Sequence, residues 1–142
     1  MITKRVILDT NVCLDLFVFH DPRWDNLLAA LKRGEVMAVT RADCRNEWLR
    51  GLDYPNLPLE EESKKQSAAQ FDALISCIAP APRTGIMLPI CSDSDDQKFL
   101  EIACDAEASW LVTKDKALLK LARKTARSGL FSIVKPEAWQ PA

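Results

Sequence analysis

Carboxylates recur along this chain at points where a fold can gather them. Asp9 stands just past the apolar run Val6-Ile7-Leu8. Glu47 lies beside an apolar stripe of Cys44, Trp48 and Leu52. Asp93, Asp95 and Asp96 crowd the stretch Ser92-Asp93-Ser94-Asp95-Asp96-Gln97, and Asp115 follows Trp110-Leu111-Val112-Thr113-Lys114. Like charges brought close together are unfavourable, so such a set needs a cation or raised pKa values. Oxygen donors without a Cys or His among them suit Mg2+ or Mn2+. A metal held this way lowers the pKa of a bound water and steadies the charge building on a phosphodiester. No side chain of the set is an obvious nucleophile, so the chemistry indicated is direct attack by water. Each acid also has a plainer reading: an Asp after a strand begins a turn or caps the next helix, and acids at a helix start complement its dipole. The recurrence of the pattern is what favours the shared site.

For these acids to meet, the elements carrying them must present them on one edge. In a parallel sheet the strand C-termini share an edge with the N-termini of the following helices. Residues 6–8 read as a fully buried strand. A short helix follows over 12–19, then one from Pro22 or Arg23 to Arg33, whose Trp24, Leu27, Leu28 and Leu31 fit the i, i+3, i+4, i+7 template. Gly34 ends it as a left-handed cap, and 36–40 is a second buried strand. Residues 41–52 form the next helix. Another begins at Glu60-Glu61-Glu62 and carries Phe71, Leu74, Ile75 and Ile78 on its apolar face. Residues 86–90 are expected as an edge strand, where proline is tolerated. Ser94 with Gln97 forms a capping-box pattern ahead of a helix burying Phe99, Ile102, Ala103 and Ala106. Residues 110–113 are a third buried strand, 117–125 a helix, and 130–134 a last strand. Alternating strands and helices give an α/β fold: a three-layer α/β/α sandwich with a largely parallel sheet of four to five strands, forming a single domain over 1–142.

The 142 residues suffice to bury a core, and 48% apolar with 27% charged residues is an ordinary globular balance. No apolar run reaches the ~20 residues that span a bilayer. The opening Met1-Ile2-Thr3-Lys4-Arg5 leads straight into the first strand without the apolar stretch of a signal peptide, so a cytoplasmic protein with no membrane association is expected. The five cysteines are spread out without a CxxC pair, which suits buried structural thiols rather than a redox or zinc role. His20 has no partner motif and reads as a surface loop residue. The net charge of −1 does not announce a nucleic-acid binder. However, Lys114, Lys116, Lys120, Arg123, Lys124 and Arg127 make a basic run, read either as a solvated helix face or as a rim that meets phosphates. Trp24, Trp48 and Trp110 sit on apolar patterns and read as core, whereas Trp139 is expected at a subunit interface. A homodimer is a further expectation.

In the order and at the spacing in which they occur, four stretches resemble the PIN-domain family, closest to its toxin components of toxin–antitoxin systems. They are Val6-Ile7-Leu8-Asp9-Thr10-Asn11-Val12; Asn46-Glu47-Trp48-Leu49-Arg50 leading to Tyr54-Pro55; Cys91 to Leu100; and Leu111-Val112-Thr113-Lys114-Asp115-Lys116. The resemblance implies metal-dependent RNA cleavage held in check by a small antitoxin protein. Matched by position, Asp9, Glu47, Asp96 and Asp115 are the family's acidic metal-binding set, with Asn11 and Thr113 as polar neighbours. Asp9, Asp96 and Asp115 would ligate Mg2+ or Mn2+, and Glu47 would complete the shell or orient the water. Lys114, Lys116 and Lys120 would meet the RNA backbone. In many members an acid directly precedes the Lys-Phe-Leu segment. Here Gln97 holds that position, so Asp93 competes with Asp96 for the third acid. Two alternatives stay open. One is a catalytically inactive PIN-like interaction module. The other is a phosphatase like the haloacid dehalogenases, with Asp9 as nucleophile, although Asn11 stands where those enzymes place a second Asp.

Overall fold

Each strand sends successive side chains to opposite faces, and the chain covers both faces with helices. In the computed structural model, which describes residues 3–141, the strands are β1 (Arg5–Leu8), β2 (Met37–Thr40), β3 (Ile75–Cys77), β4 (Trp110–Val112) and β5 (Ser132–Val134). Met1, Ile2 and Ala142, at the two ends of the domain expected over 1–142, lie outside the described residues. All four strand pairings are parallel, in the order β3-β2-β1-β4-β5. The helices are α1 (Thr10–Phe17), α2 (Asp25–Lys32), α3 (Ala42–Gly51), α4 (Glu61–Leu74), α5 (Gln97–Asp105), α6 (Lys116–Leu119) and α7 (Ala122–Arg127).

Val6, Leu8, Ala38, Trp110 and Val112 face one core, filled from α1, α2 and α4 by Leu16, Phe17, Leu27, Leu31 and Phe71. Ile7, Val39, Leu111 and Ile133 face the other, filled from α5 and α6 by Phe99, Leu100, Ile102 and Leu118. This is the expected α/β/α sandwich. Helix α3 bridges the two layers: Cys44 belongs to the second core, while Trp48 belongs to the first. Trp48 stacks on Phe71 at 5.0 Å between ring centroids, and Phe17 meets both edge-on at 6.0 and 6.1 Å. Such aromatic pairs contribute about 0.5–1.5 kcal/mol each beyond their buried area, and they fix the helix that carries Glu47.

β1 is the central strand. The chain builds β2 and β3 to one side of it, then crosses to build β4 and β5 on the other. Strand order therefore reverses between β1 and β4, and the crevice beyond their carboxyl ends is where open α/β sheets bind ligands. Val6, Ile7 and Leu8 stand in register with Trp110, Leu111 and Val112. This brings the residues after both strands, Asp9 and Thr113 to Asp115, to the same rim.

Several expectations are corrected. The edge strand beside β2 is Ile75–Cys77, not 86–90. The apolar spacing of Phe71 and Ile75 runs on past the end of α4, and a β-branched residue at that point reads equally well as helix or strand. Ile75 turns out to pair with Ala38, and the Ile78 amide extends the ladder to the Thr40 carbonyl at 2.8 Å. Residues 86–90 lie outside the sheet, with Met87 and Ile90 exposed. Strand pairing also leaves Cys77 exposed, whereas the other four thiols are buried. The helix expected over 117–125 is broken into α6 and α7. Trp139 is buried against Trp110 at 5.6 Å in the chain's own core, not left for a subunit interface. Gly34 takes φ 73° as a left-handed cap requires, and His20 is an exposed loop residue as expected. Among the described residues no helix is long and apolar enough to cross a membrane.

Candidate metal centre

Asp9 occupies the N-cap position of α1, but its side chain makes no capping bond to that helix. Instead Oδ2 accepts a hydrogen bond of 2.6 Å from the Thr113 hydroxyl, across the β1–β4 boundary. The same Thr113 oxygen accepts the Asp115 amide at 3.0 Å. Thr113 is wholly buried. One hydroxyl thus orients two acids from two strand ends, and this is the role the sequence left unspecified for it. A hydrogen bond to a charged group is worth about 1.5–3 kcal/mol net. Asp115 caps α6 by accepting the Ala117 amide at 2.8 Å, and it lines the cleft described below.

The third acid comes from the turn before α5. Asp93 caps this turn by accepting the Asp95 amide at 3.0 Å. The capping box expected between Ser94 and Gln97 does not form. Gln97 reaches back instead, its Oε1 accepting the Cys91 amide at 2.7 Å and its Nε2 donating to the Pro89 carbonyl at 3.1 Å. Gln97 therefore fastens the preceding loop and does not line the site. The turn aims Asp96 inward. One oxygen each of Asp93, Asp96 and Asp115 fall within 4.8 Å of one another. Both candidates for the third acid are in this group, Asp96 buried and Asp93 exposed.

A cleft of about 240 Å³ gathers the expected acids. It is lined by Asp9, Asn11, Glu47, Asp93, Asp96 and Asp115, together with Thr10, Asp95 and Tyr54. Glu47 enters it from α3, with a bond to each carboxylate oxygen: Oε1 accepts Lys98 Nζ at 2.9 Å, and Oε2 accepts the Thr10 hydroxyl. Lys98 also donates to the Asp95 carbonyl oxygen. The three lysines expected to meet RNA stand outside the cleft lining. Lys116 and Lys120 are exposed on or just after α6, while Lys114 is paired with the buried Asp15 at 2.6 Å, which also accepts the Trp24 indole N–H.

The electrostatics follow the geometry. Burial raises Asp9 to about 6, outweighing the Thr113 bond that pulls it down. Burial raises Asp96 further, to about 8. A hydrogen bond with Asp115 and the charges of Asp9, Asp115 and Asp93 push the same way. Asp115 moves down, because Asp96 donates to it. Partial burial works against the charge on Lys98, but its bond to Glu47 prevails and its pKa is raised. Asp96 Oδ2 is buried and has no hydrogen-bond partner among the described residues. An orphaned carboxylate oxygen beside two further acids, all hard donors, fits a divalent cation such as Mg2+ or Mn2+.

The model of the PIN domain matches residues 5–117 of the chain. This chain belongs to the PIN-domain family. All four acids matched by position fall inside the matched span and inside one cleft. Among curated proteins no sequence matches it. Among solved structures, its PIN fold is similar to that of a chain in the crystal structure of VapBC2 from Rickettsia felis bound to a DNA fragment from their promoter. The TM-score is 0.58 with 16% identity, over 92% of this chain and 98% of that one. At that identity the likeness concerns the fold.

Sequence reasoning gave no role to Thr10, Tyr54 or Lys98, although all three lie in the stretches that carried the resemblance. Thr10 follows Asp9 directly, and Lys98 is two residues past Asp96 at the start of an amphipathic helix. Only the folded cleft shows that the two converge on Glu47.

Proposed function

We propose that the chain is a divalent-metal-dependent endoribonuclease of the cytoplasm, the toxin of a toxin–antitoxin pair, with RNA, a cognate antitoxin protein and a second copy of itself as partners. The observation that carries this reading is the convergence of Asp93, Asp96 and Asp115, one of them with an orphaned buried oxygen, at the switch point of a parallel sheet. Asp9, Asp96 and Asp115 would hold Mg2+ or Mn2+, joined by Asp93, with Glu47 completing the shell or orienting water. The bound cation supplies a water of lowered pKa and positive charge against the phosphodiester. The chain's own part is positioning. Thr113 fixes Asp9 and the start of the Asp115 turn, and the Asp93 and Gln97 bonds fix the turn that presents Asp96. Asn11 and Tyr54 stand exposed at the rim, where an RNA strand would lie, and an aromatic ring there offers a base a stacking surface. Hydrolysis would proceed by attack of water oxygen on phosphorus. The bond to the leaving ribose oxygen would break, and that oxygen would take up a proton.

The test sets wild type against Asp9→Asn on a mixed RNA pool, with Mn2+ and with chelator. Wild type should cut only with Mn2+, and the variant should be slowed by about a hundredfold or more, as expected when a ligand position is lost. Equal cleavage by both proteins would mean a contaminant and overturn the reading. A folded wild type that neither binds Mn2+ nor cuts would favour the inactive interaction module. Phosphate transfer to Asp9 would favour the phosphatase.

A further inference from the structure

Six carboxylates line the cleft: Asp9, Glu47, Asp93, Asp95, Asp96 and Asp115. Among the described residues Glu47 alone of these is ion-paired. Lys98 is held for this purpose. Its side chain is only 17% exposed, and its ammonium donates to Glu47 Oε1 at 2.9 Å and to the Asp95 carbonyl, 5.2 Å from the Phe99 ring centroid. The other Glu47 oxygen is taken by Thr10.

We infer that Lys98 is a resident cation standing on Glu47 in place of a second metal ion, so that the centre takes a single divalent cation. The inference rests on the metal-dependent reading above and assigns the division of labour within it. Two-metal nuclease sites set their ions roughly 3.5–4 Å apart and share carboxylates between them. A second ion reaching Glu47 would have to approach an ammonium already in contact with it, against like-charge repulsion, using only the lone pairs left by the Lys98 and Thr10 bonds. The single ion falls to Asp9, Asp96 and Asp115, joined by Asp93, none of which is paired with a lysine or arginine among the described residues. Lys98 supplies the second positive centre. An ammonium has three donors, and two are committed to protein, which leaves one N–H to meet a phosphate oxygen of the RNA.

Metal-free protein is titrated with Mn2+ alone, and the unbound ion is read by its paramagnetic resonance signal. Wild type should bind one ion per chain. Lys98→Met and Lys98→Gln should each bind two, because Glu47 is released, and Lys98→Arg should bind one. Adding Glu47→Gln to Lys98→Met should return the count to one. Circular dichroism shows which variants are folded, and the glutamine variant carries the test if the methionine variant is not. Two ions in wild type, or one in both neutral variants, would overturn the inference while leaving the metal-dependent reading intact. No ion in wild type would overturn both.

Discussion

The two walls of the cleft hold the same kind of group and treat it differently. On one wall Glu47 is compensated from within, ion-paired with the Lys98 ammonium and hydrogen-bonded by the Thr10 hydroxyl. On the other, Asp93, Asp96 and Asp115 crowd within 4.8 Å with no lysine or arginine paired to them among the described residues, and one Asp96 oxygen has no partner at all. A fold that needed only stability would compensate both walls. Leaving one uncompensated makes the metal-free protein less stable there and reserves the place for a cation from outside, a common bargain at functional sites.

The largest effect should come from breaking the open wall. Asp96→Asn should lower Mn2+ affinity and RNA cleavage by about a hundredfold or more, while raising the melting temperature of the metal-free protein near neutral pH. Isothermal titration and thermal denaturation check the two halves, and a variant that melts lower would show that the wall is not strained. Thr113→Val should come next. It removes the hydroxyl that orients Asp9 and accepts the Asp115 amide, and should weaken Mn2+ binding by about 10–100-fold.

Glu47→Gln sharpens the contrast. Cleavage should fall, because Glu47 helps orient the reacting groups, but Mn2+ affinity should change by less than about tenfold, since loss of a true ligand has larger effects. A drop as large as that of Asp96→Asn would make the two walls equivalent.

The pH dependence separates them without mutation. Asp96 and Asp9 have folded pKa values of about 8 and about 6, against an ordinary value of 3.8. Between those limits the folded state binds more protons than the unfolded one, so the stability these groups lend is present below pH 4 and lost as pH rises through 6 and 8. Asp115 is shifted the other way, and its window lies below 3.8, outside this range. The metal-free protein should therefore melt lower at pH 8 than at pH 5, by on the order of 5 °C. Saturating Mn2+ should remove most of that slope.

The smallest effect belongs to the basic run. Lys116→Ala should weaken RNA binding a few-fold and reduce the salt slope by about one. Lys114→Ala should leave that slope unchanged, because its ammonium is already paired with Asp15. Binding titrations at several salt concentrations distinguish the two.

How much of this was legible in the sequence depended on the range of the interaction. The buried parallel strands at 6–8 and 110–112 announce themselves by unbroken apolar runs, and the acids just past them were placed at the correct rim by topology alone. The third acid was narrowed to Asp93 or Asp96, and the fold brings both to Asp115. Local chemistry misled where two patterns share a signal. Ser94 and Gln97 have capping-box spacing, but the loop before them offered Gln97 a free amide and carbonyl. Ile75 fits both helix and strand periods, and its pairing with Ala38 decided for the strand. Trp139 looked like an interface residue because its partner Trp110 is distant in sequence. Lys98 was invisible for the same reason: it lies 51 residues from Glu47, and no short-range pattern links them.

The most direct measurement is a crystal of the protein soaked in Mn2+, with data collected at the manganese absorption edge. One anomalous peak per chain is expected, within direct bonding distance of oxygens of Asp96 and Asp115, with Lys98 still bonded to Glu47. A peak on Glu47 with Lys98 displaced, or no peak in the cleft at all, would contradict that expectation.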